Sequence, residues 1–419
     1  MATSASDSSK TQPRRALVLS GGGARGAYEA GVLRYLFEEL PGRLGHAPRI
    51  DVVSGTSVGA IHACFVAATA QLGRERGAQL ANVWEQLALS DLFGSAVGEL
   101  LRLPRRILST LGSARALREG APPDRLYGLL NTEHLEQIVR TAIPWNQIRR
   151  NVAAGHIQGV CVAATEIATG RSVVFLDAND PHTAAWVHDP SMVARSVKLG
   201  PAHALASAAI PIVFPAVRIG QTYYAAGGLR VNTPLAPVLR LGADRVLVIA
   251  LRKGATGGAE GDIAARRVES YGNPLFLFGK VLNALLLDHI DNDIAHMRML
   301  NDVVRRVRDV GGPELLARVS EAAIAERGRP LRIVRETVVR PSQDLGLLAG
   351  ETLRGGGGAP RPPLAMRLLR RALDLGDGPF EADLLSYVLF DQSYSRRLIA
   401  LGYEDARSQA DELAEFFGD

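Results

Sequence analysis

Short apolar runs stopped by glycine alternate with longer stretches of helical periodicity through the first half of the chain. Residues 16–19 are uninterruptedly apolar and end at Ser20 and three glycines, the pattern of a buried strand meeting a tight loop. Residues 27–40 carry helical spacing, and Pro41-Gly42 stops it. A second strand is predicted at 50–53, broken by Gly55-Thr56-Ser57-Val58-Gly59, with a helix over 60–72. Strand, glycine turn and helix thus occur twice, as in a parallel α/β sheet. Residues 160–164 and 172–176 read as a strand pair around Ala168-Thr169-Gly170. Residues 206–215 read as a small-residue helix running into a proline-bounded turn, and 219–224 and 245–251 as strands. Farther on, 274–287 is strongly apolar, 288–310 a charged helix, 331–339 one more candidate strand, and 364–417 helical. The predicted fold class is α/β: a mainly parallel sheet sandwiched by helices, with a helical C-terminal extension.

The pattern also suggests an organisation. Residues 1–13 are a polar, disordered lead, and 14–251 the core. Residues 252–353 are a mixed helical continuation, the Gly/Pro-rich 354–363 a linker, and 364–419 a helical segment. Within the core, residues 90–122 mix leucines with Arg102, Arg105, Arg106, Arg115 and Arg118. Two readings stay open there: a lid or membrane-facing insertion, or a surface helix pair with one face on the core.

Composition narrows the class. With 419 residues, 47% apolar and 22% charged, the chain can bury a core without staples. The net charge of +5 is too small to point to nucleic acid, and no basic–aromatic interleaving accompanies it. Cys64 and Cys161 both lie in apolar runs, as reduced core residues do, and no Cys/His metal cluster is present. The first fifteen residues lack the apolar region of a secretory signal, and the longest apolar run, 58–72, is interrupted by His62 and Gln71. A cytoplasmic protein is expected, able to touch a membrane only from outside the bilayer core.

Two glycine motifs carry the chemistry. Gly55-Thr56-Ser57-Val58-Gly59 fits the Gly-x-Ser-x-Gly nucleophile elbow, whose strained turn pushes the serine hydroxyl out at the tip of the sheet. The helix after it aims N–H groups at the same place. Gly21, Gly23 and Gly26 also give Gly-x-Gly-x-x-Gly between a strand and a helix. A dinucleotide fold uses that spacing for pyrophosphate, with Asp51 near the ribose distance, whereas an acyl hydrolase uses the N–H groups as an oxyanion hole. An elbow serine on the second unit speaks for the hydrolase. Arg25, inside a glycine loop with little core nearby, is expected to face an anion. His62 is expected to be packed or hydrogen-bonded. His289 and His296 are available to a histidine triad, but an elbow after only about two strands does not suit that chain order.

Together these residues resemble the patatin-like phospholipase family. Its glycine motif matches Gly21, Gly22, Gly23, Arg25 and Gly26, and its elbow matches 55–59 with the nucleophile on Ser57. Its Ala-Ser-x-Ala-x-Pro segment matches residues 206–211. Cys161 to Thr165 with Gly170 and Phe175 matches its central strand pair, and Asn232-Thr233-Pro234 the turn after its acidic motif. The resemblance spans about residues 14–251. It implies a lipid acyl hydrolase acting on phospholipids or other fatty-acyl esters through a Ser–Asp dyad. Neither metal nor organic cofactor is implied.

The acidic motif itself departs from the family. Where the family has Asp-Gly-Gly, this chain reads Ala226-Gly227-Gly228. A serine hydroxyl needs a base, and a methyl group cannot take its proton. The chain as written is expected to be nearly inactive. The alanine fits an Asp-to-Ala change of an active enzyme, a natural lipid-binding pseudoenzyme or regulatory protein, or a base supplied from elsewhere, with Asp51 and Glu166 as available carboxylates.

Overall fold

The computed structural model describes residues 12–87, 132–179, 192–211, 214–231, 233–254, 289–327, 330–354 and 383–418. The expected lid or insertion at 90–122, the apolar run at 274–287, nearly all of the linker, and Asn232 lie outside the described residues.

The chain opens with β1 (Arg15–Leu19), a 3-10 turn at Gly23–Arg25, and α1 (Gly26–Glu38) with the short α2 (Leu40–Leu44). β2 (Val52–Thr56), α3 (Val58–Ala68) and α4 (Glu75–Gln86) follow, then α5 (Glu133–Ala142) and α6 (Trp145–Ala154). β3 (Gly159–Glu166), β4 (Ser172–Ala178), β5 (Met192–Ser196) and α7 (Pro201–Ala208) lead to β6 (Val217–Ile219) and β7 (Thr222–Ala226). The remaining elements are α8 (Leu235–Arg240), β8 (Arg245–Ile249), α9 (His289–Arg327), β9 (Arg335–Val339), α10 (Leu345–Leu353), α11 (Asp383–Val388), α12 (Gln392–Ser408) and α13 (Ala410–Phe417).

Among the described residues the strands form one sheet in the order β5-β4-β3-β2-β1-β8-β9, with β7 joining β3 and β6 pairing with β7. β3, β2, β1, β8 and β9 are mutually parallel. The fold is α/β with a mostly parallel sheet between helices. β1 shows how its sequence dictates this. All five residues are buried, Ala16 and Val18 in the core on one face, Leu17 and Leu19 in the core on the other. A strand covered on both faces has no polar alternation to show. One core takes residues from α1, α3 and α12; the other takes α8 and the start of α9.

The sheet and its cores extend past residue 251. β9 pairs in parallel with β8, Val246 opposite Glu336 and Val248 opposite Val338. α12 crosses α1 at a close approach that needs glycine on both sides. A Cβ on Gly31 would meet the Ile399 backbone, and one on Gly402 the Tyr28 carbonyl. Tyr28 donates to Asp405 at 3.1 Å, and Arg15 and Arg245 hold the Gly418 carbonyl.

Several boundaries differ from the pattern, for local reasons. The predicted strand at 219–224 is a hairpin, β6–β7, because Gly220 turns at φ 63°. The small-residue helix is Pro201–Ala208 and stops short of Pro211, which disfavours helix in the residue before it. β2 runs on to Thr56 instead of breaking at Gly55. The charged helix reaches Arg327 with a break at Gly312 before Pro313. No described helix is long and apolar enough to cross a membrane.

Candidate active site

The register of β3 brings two of the sequence motifs together. β4 pairs with β3 from Gly159 to Thr165, so one edge of β3 is taken. β2 occupies the other edge as far as Ala163, opposite Thr56. β7 continues on that same edge from the opposite direction, with Ala226 opposite Ala164. The two strands meet end to end. Since neighbours along a strand are about 3.3 Å apart, the elbow after Thr56 and the turn after Ala226 abut. A Cβ on Gly227 would collide with the Ala163 carbonyl and lie 3.1 Å from Thr56 Cγ2, which is why the residue there has no side chain. Ser57 is 8% exposed and Ala226 1%.

Ser57 sits at φ 55°, ψ −123°, and is the one non-glycine residue with positive φ among the described residues. That conformation costs about 1–3 kcal/mol in a residue with a Cβ. Ser57→Gly is therefore expected to raise stability by about 1 kcal/mol, strain relief offset by the freer unfolded chain. Urea denaturation measures the gain, and no gain would mean that the elbow is unstrained.

Glycines let the two strand–turn–helix units interlock. A Cβ on Gly59 would lie 2.7 Å from the Ser20 carbonyl oxygen, and one on Gly26 2.9 Å from Trp84 Cζ2. A Cβ on Gly55 would lie 2.6 Å from Ala60 N. The start of α3 is thus seated on the end of β1, and the glycine loop of residues 21–23 stands beside the elbow. Gly22 packs on Leu251, and Gly23 adopts φ 57° against the Tyr387 backbone.

Polar contacts tie the remaining motifs to this junction. Ser57 N–H donates to Ser207 Oγ at 2.8 Å, and Ser207 donates to the Ala163 carbonyl. Ala226 N–H donates to the Ala209 carbonyl at 2.8 Å, and Thr165 Oγ1 to the Ala226 carbonyl at 3.0 Å. The end of α7 therefore holds both residue 57 and residue 226. The loop after β7 is pinned twice, Thr56 Oγ1 donating to the Val231 carbonyl at 2.9 Å and Ser20 Oγ lying 3.0 Å from Thr233 Oγ1. Ser207→Ala leaves the Ser57 N–H and the Ala163 carbonyl buried without this partner. A loss of about 1–3 kcal/mol is expected in urea denaturation, and an unchanged midpoint would show that Ser207 does not hold the elbow.

Some expectations are corrected. Arg25 has a core to pack on: it is buried, its Nε donates to Ser386 Oγ at 2.7 Å, and its guanidinium lies 4.3 Å over the Tyr387 ring. Asp51 does not serve a ribose. It precedes β2, at the end of the strand away from the elbow, and accepts from Arg15 N–H, Arg49 and Gln158. Glu166 pairs with Arg195 at 2.8 Å. His296 is exposed on α9. His62 is hydrogen-bonded through both ring nitrogens, to Glu29 and Trp84. Glu29, Trp84 and the holding role of Ser207 were not foreseen. Their sequence signals are slight: Glu29 is a charge in the mainly apolar first half of α1, His62 a histidine in the apolar α3, Ser207 the serine of the 206–211 motif, and Trp84 lies in a polar helix that marks nothing. Cys64 and Cys161 are free and buried, and burial pushes both thiols well up from their ordinary value. Among the described residues, no group of three His, Cys, Asp or Glu side chains is arranged to hold a metal ion.

Comparisons with known proteins bear on this arrangement. The patatin-like phospholipase family model matches residues 17–239. A cGAMP-activated phospholipase of Pseudomonas aeruginosa is 32% identical over 218 residues, which cover 52% of this chain and 53% of the relative. The match thus spans about half the length of that relative. Among solved structures, VipD from Legionella pneumophila is 15% identical, with 65% of this chain and 56% of that one covered and a TM-score of 0.27. ExoU from the type III secretion system of Pseudomonas aeruginosa, in complex with SpcU, is 18% identical, with 90% and 70% covered and a TM-score of 0.27.

Proposed function

Because the chain belongs to the patatin-like phospholipase family, we propose that its site is that of a serine lipid acyl hydrolase, with Ser57 as nucleophile and position 226 as the place of its base. The observation that carries this reading is the end-to-end meeting of β2 and β7 on one edge of β3. In the active form, a carboxylate at 226 takes the Ser57 proton as the oxygen attacks the ester carbonyl, then returns it to the leaving alcohol. The same carboxylate activates the water that releases the fatty acid from the acyl-enzyme. Ser20 N–H donates to Glu29 and Ser57 N–H to Ser207, and the reading gives the oxyanion to the backbone of Gly22 and Gly23 in the glycine loop. Arg25 then shapes that loop from behind.

Ala226 removes the base, which supports an enzyme framework with turnover almost abolished. The same alanine also supports a second reading, a lipid-binding pseudoenzyme that keeps the pocket. A lipid panel separates the two. The chain as written and its Ala226→Asp variant are incubated with diacyl phospholipid, lysophospholipid and simple fatty-acyl ester, and released fatty acid is measured by mass spectrometry. Each arm is run with and without cGAMP, because the Pseudomonas relative is named as cGAMP-activated. Release by Ala226→Asp alone supports the hydrolase. Lipid binding by both proteins without release by either supports the pseudoenzyme.

A further inference from the structure

Three buried side chains away from the Ser57–Ala226 junction form a hydrogen-bonded chain whose direction is fixed. Trp84 Nε1–H, on α4, donates to His62 Nε2, on α3, at 2.8 Å. An indole nitrogen can only donate, so this imidazole nitrogen carries no proton. His62 Nδ1 lies 2.7 Å from Glu29 Oε2, on α1, and is then the protonated nitrogen of a neutral ring donating to the carboxylate. The other oxygen, Glu29 Oε1, accepts the Ser20 N–H at 2.8 Å. Donors therefore face Glu29 from both sides, the arrangement that suits a carboxylate accepting through both oxygens. Glu29 is 0% exposed. Burial pushes its carboxyl up from the ordinary value, while the His62 and Ser20 donors pull it back down.

The chain joins the parts that must be aligned. Ser20 heads the glycine loop, and Glu29 lies on the helix after it. His62 lies five residues beyond Ser57 on the elbow helix. Behind them, Trp84 stacks on Phe390 with centroids 6.0 Å apart and planes 10° apart. Phe390 closes the same short segment whose Ser386 and Tyr387 hold Arg25. Both supports of the glycine loop converge on residues 386–390.

We propose that Glu29, His62 and Trp84 are positioning residues that set the backbone of the glycine loop relative to Ser57. The proposal rests on the reading of Ser57 as nucleophile. Glu29→Gln tests it without a change of size. An amide oxygen cannot replace both carboxylate oxygens, so either Ser20 N–H or His62 loses its partner. Trp84→Phe keeps the ring on Phe390 and removes the donor.

Two readouts are needed. In hydrogen exchange of the full chain, peptides covering residues 20–26 in Glu29→Gln should exchange roughly tenfold faster, with those covering 245–249 unchanged. In the Ala226→Asp background, Glu29→Gln should lower kcat roughly tenfold and Trp84→Phe by a few fold, with KM within about twofold. Unchanged exchange at 20–26 overturns the proposal. So does exchange that speeds up as much at 245–249 as at 20–26, which marks general destabilisation rather than a held loop. If Ala226→Asp releases no fatty acid at all, the nucleophile reading fails, and the exchange readout alone then decides whether the chain holds the loop.

Discussion

Ala226→Asp is expected to raise ester hydrolysis at least about 10³-fold over the chain as written. General-base assistance is worth about 10²–10⁴-fold, and partners that act as a unit lose most of their turnover when one is missing. Residue 226 is already in place for this. Its backbone is fixed on both sides, by its N–H to the Ala209 carbonyl and by Thr165 on its own carbonyl. A carboxylate introduced there therefore starts from an ordered position beside the elbow. Ser57→Ala in the same background should return the rate to that of the chain as written. A rate unaffected by Ser57→Ala would assign the nucleophile to another residue. Fatty-acid release from vesicles under single-turnover conditions reads both effects.

The second large effect concerns stability. Gly59→Ala is expected to cost about 3 kcal/mol or more, because its Cβ would lie 2.6 Å from the Leu19 carbonyl carbon and 2.7 Å from the Ser20 oxygen. Both neighbours are backbone, one at the end of a central strand, so neither can turn aside. Relief requires lifting α3 off β1 and with it the elbow. Gly42→Ala is the matched comparison. Nothing lies within 4 Å of its Cβ, and it sits inside α2, so alanine should be neutral or stabilising by up to about 1 kcal/mol. Chemical denaturation of the two variants measures the difference. Equal midpoints would mean that the glycine is not needed for the close approach.

What the sequence revealed followed from backbone demands. Gly22, Gly23, Gly55 and Gly59 stand where a Cβ would strike backbone or a core side chain, and such demands leave a local mark. The buried strands showed themselves as apolar runs for the same reason. What stayed hidden depends on partners distant in sequence. Arg25 was expected to face an anion because nothing within its own loop could receive it, yet its partner Ser386 lies 361 residues later. The Glu29–His62–Trp84 chain joins three helices, and no periodicity announces that these positions converge. That residues 57 and 226 belong to one site is implied in the sequence only by the family resemblance, because the register of β2 and β7 along β3 is a property of the folded sheet.

The central claim is that residues 57 and 226 form one reactive site, and covalent trapping tests it most directly. The chain as written and its Ala226→Asp variant are treated with a fluorophosphonate carrying an acyl-like chain, digested, and mapped by mass spectrometry. A single adduct on Ser57 is expected, formed much faster in Ala226→Asp than in the unaltered chain. An adduct on a different residue, or equal labelling of Ser57 in the two proteins, would contradict it.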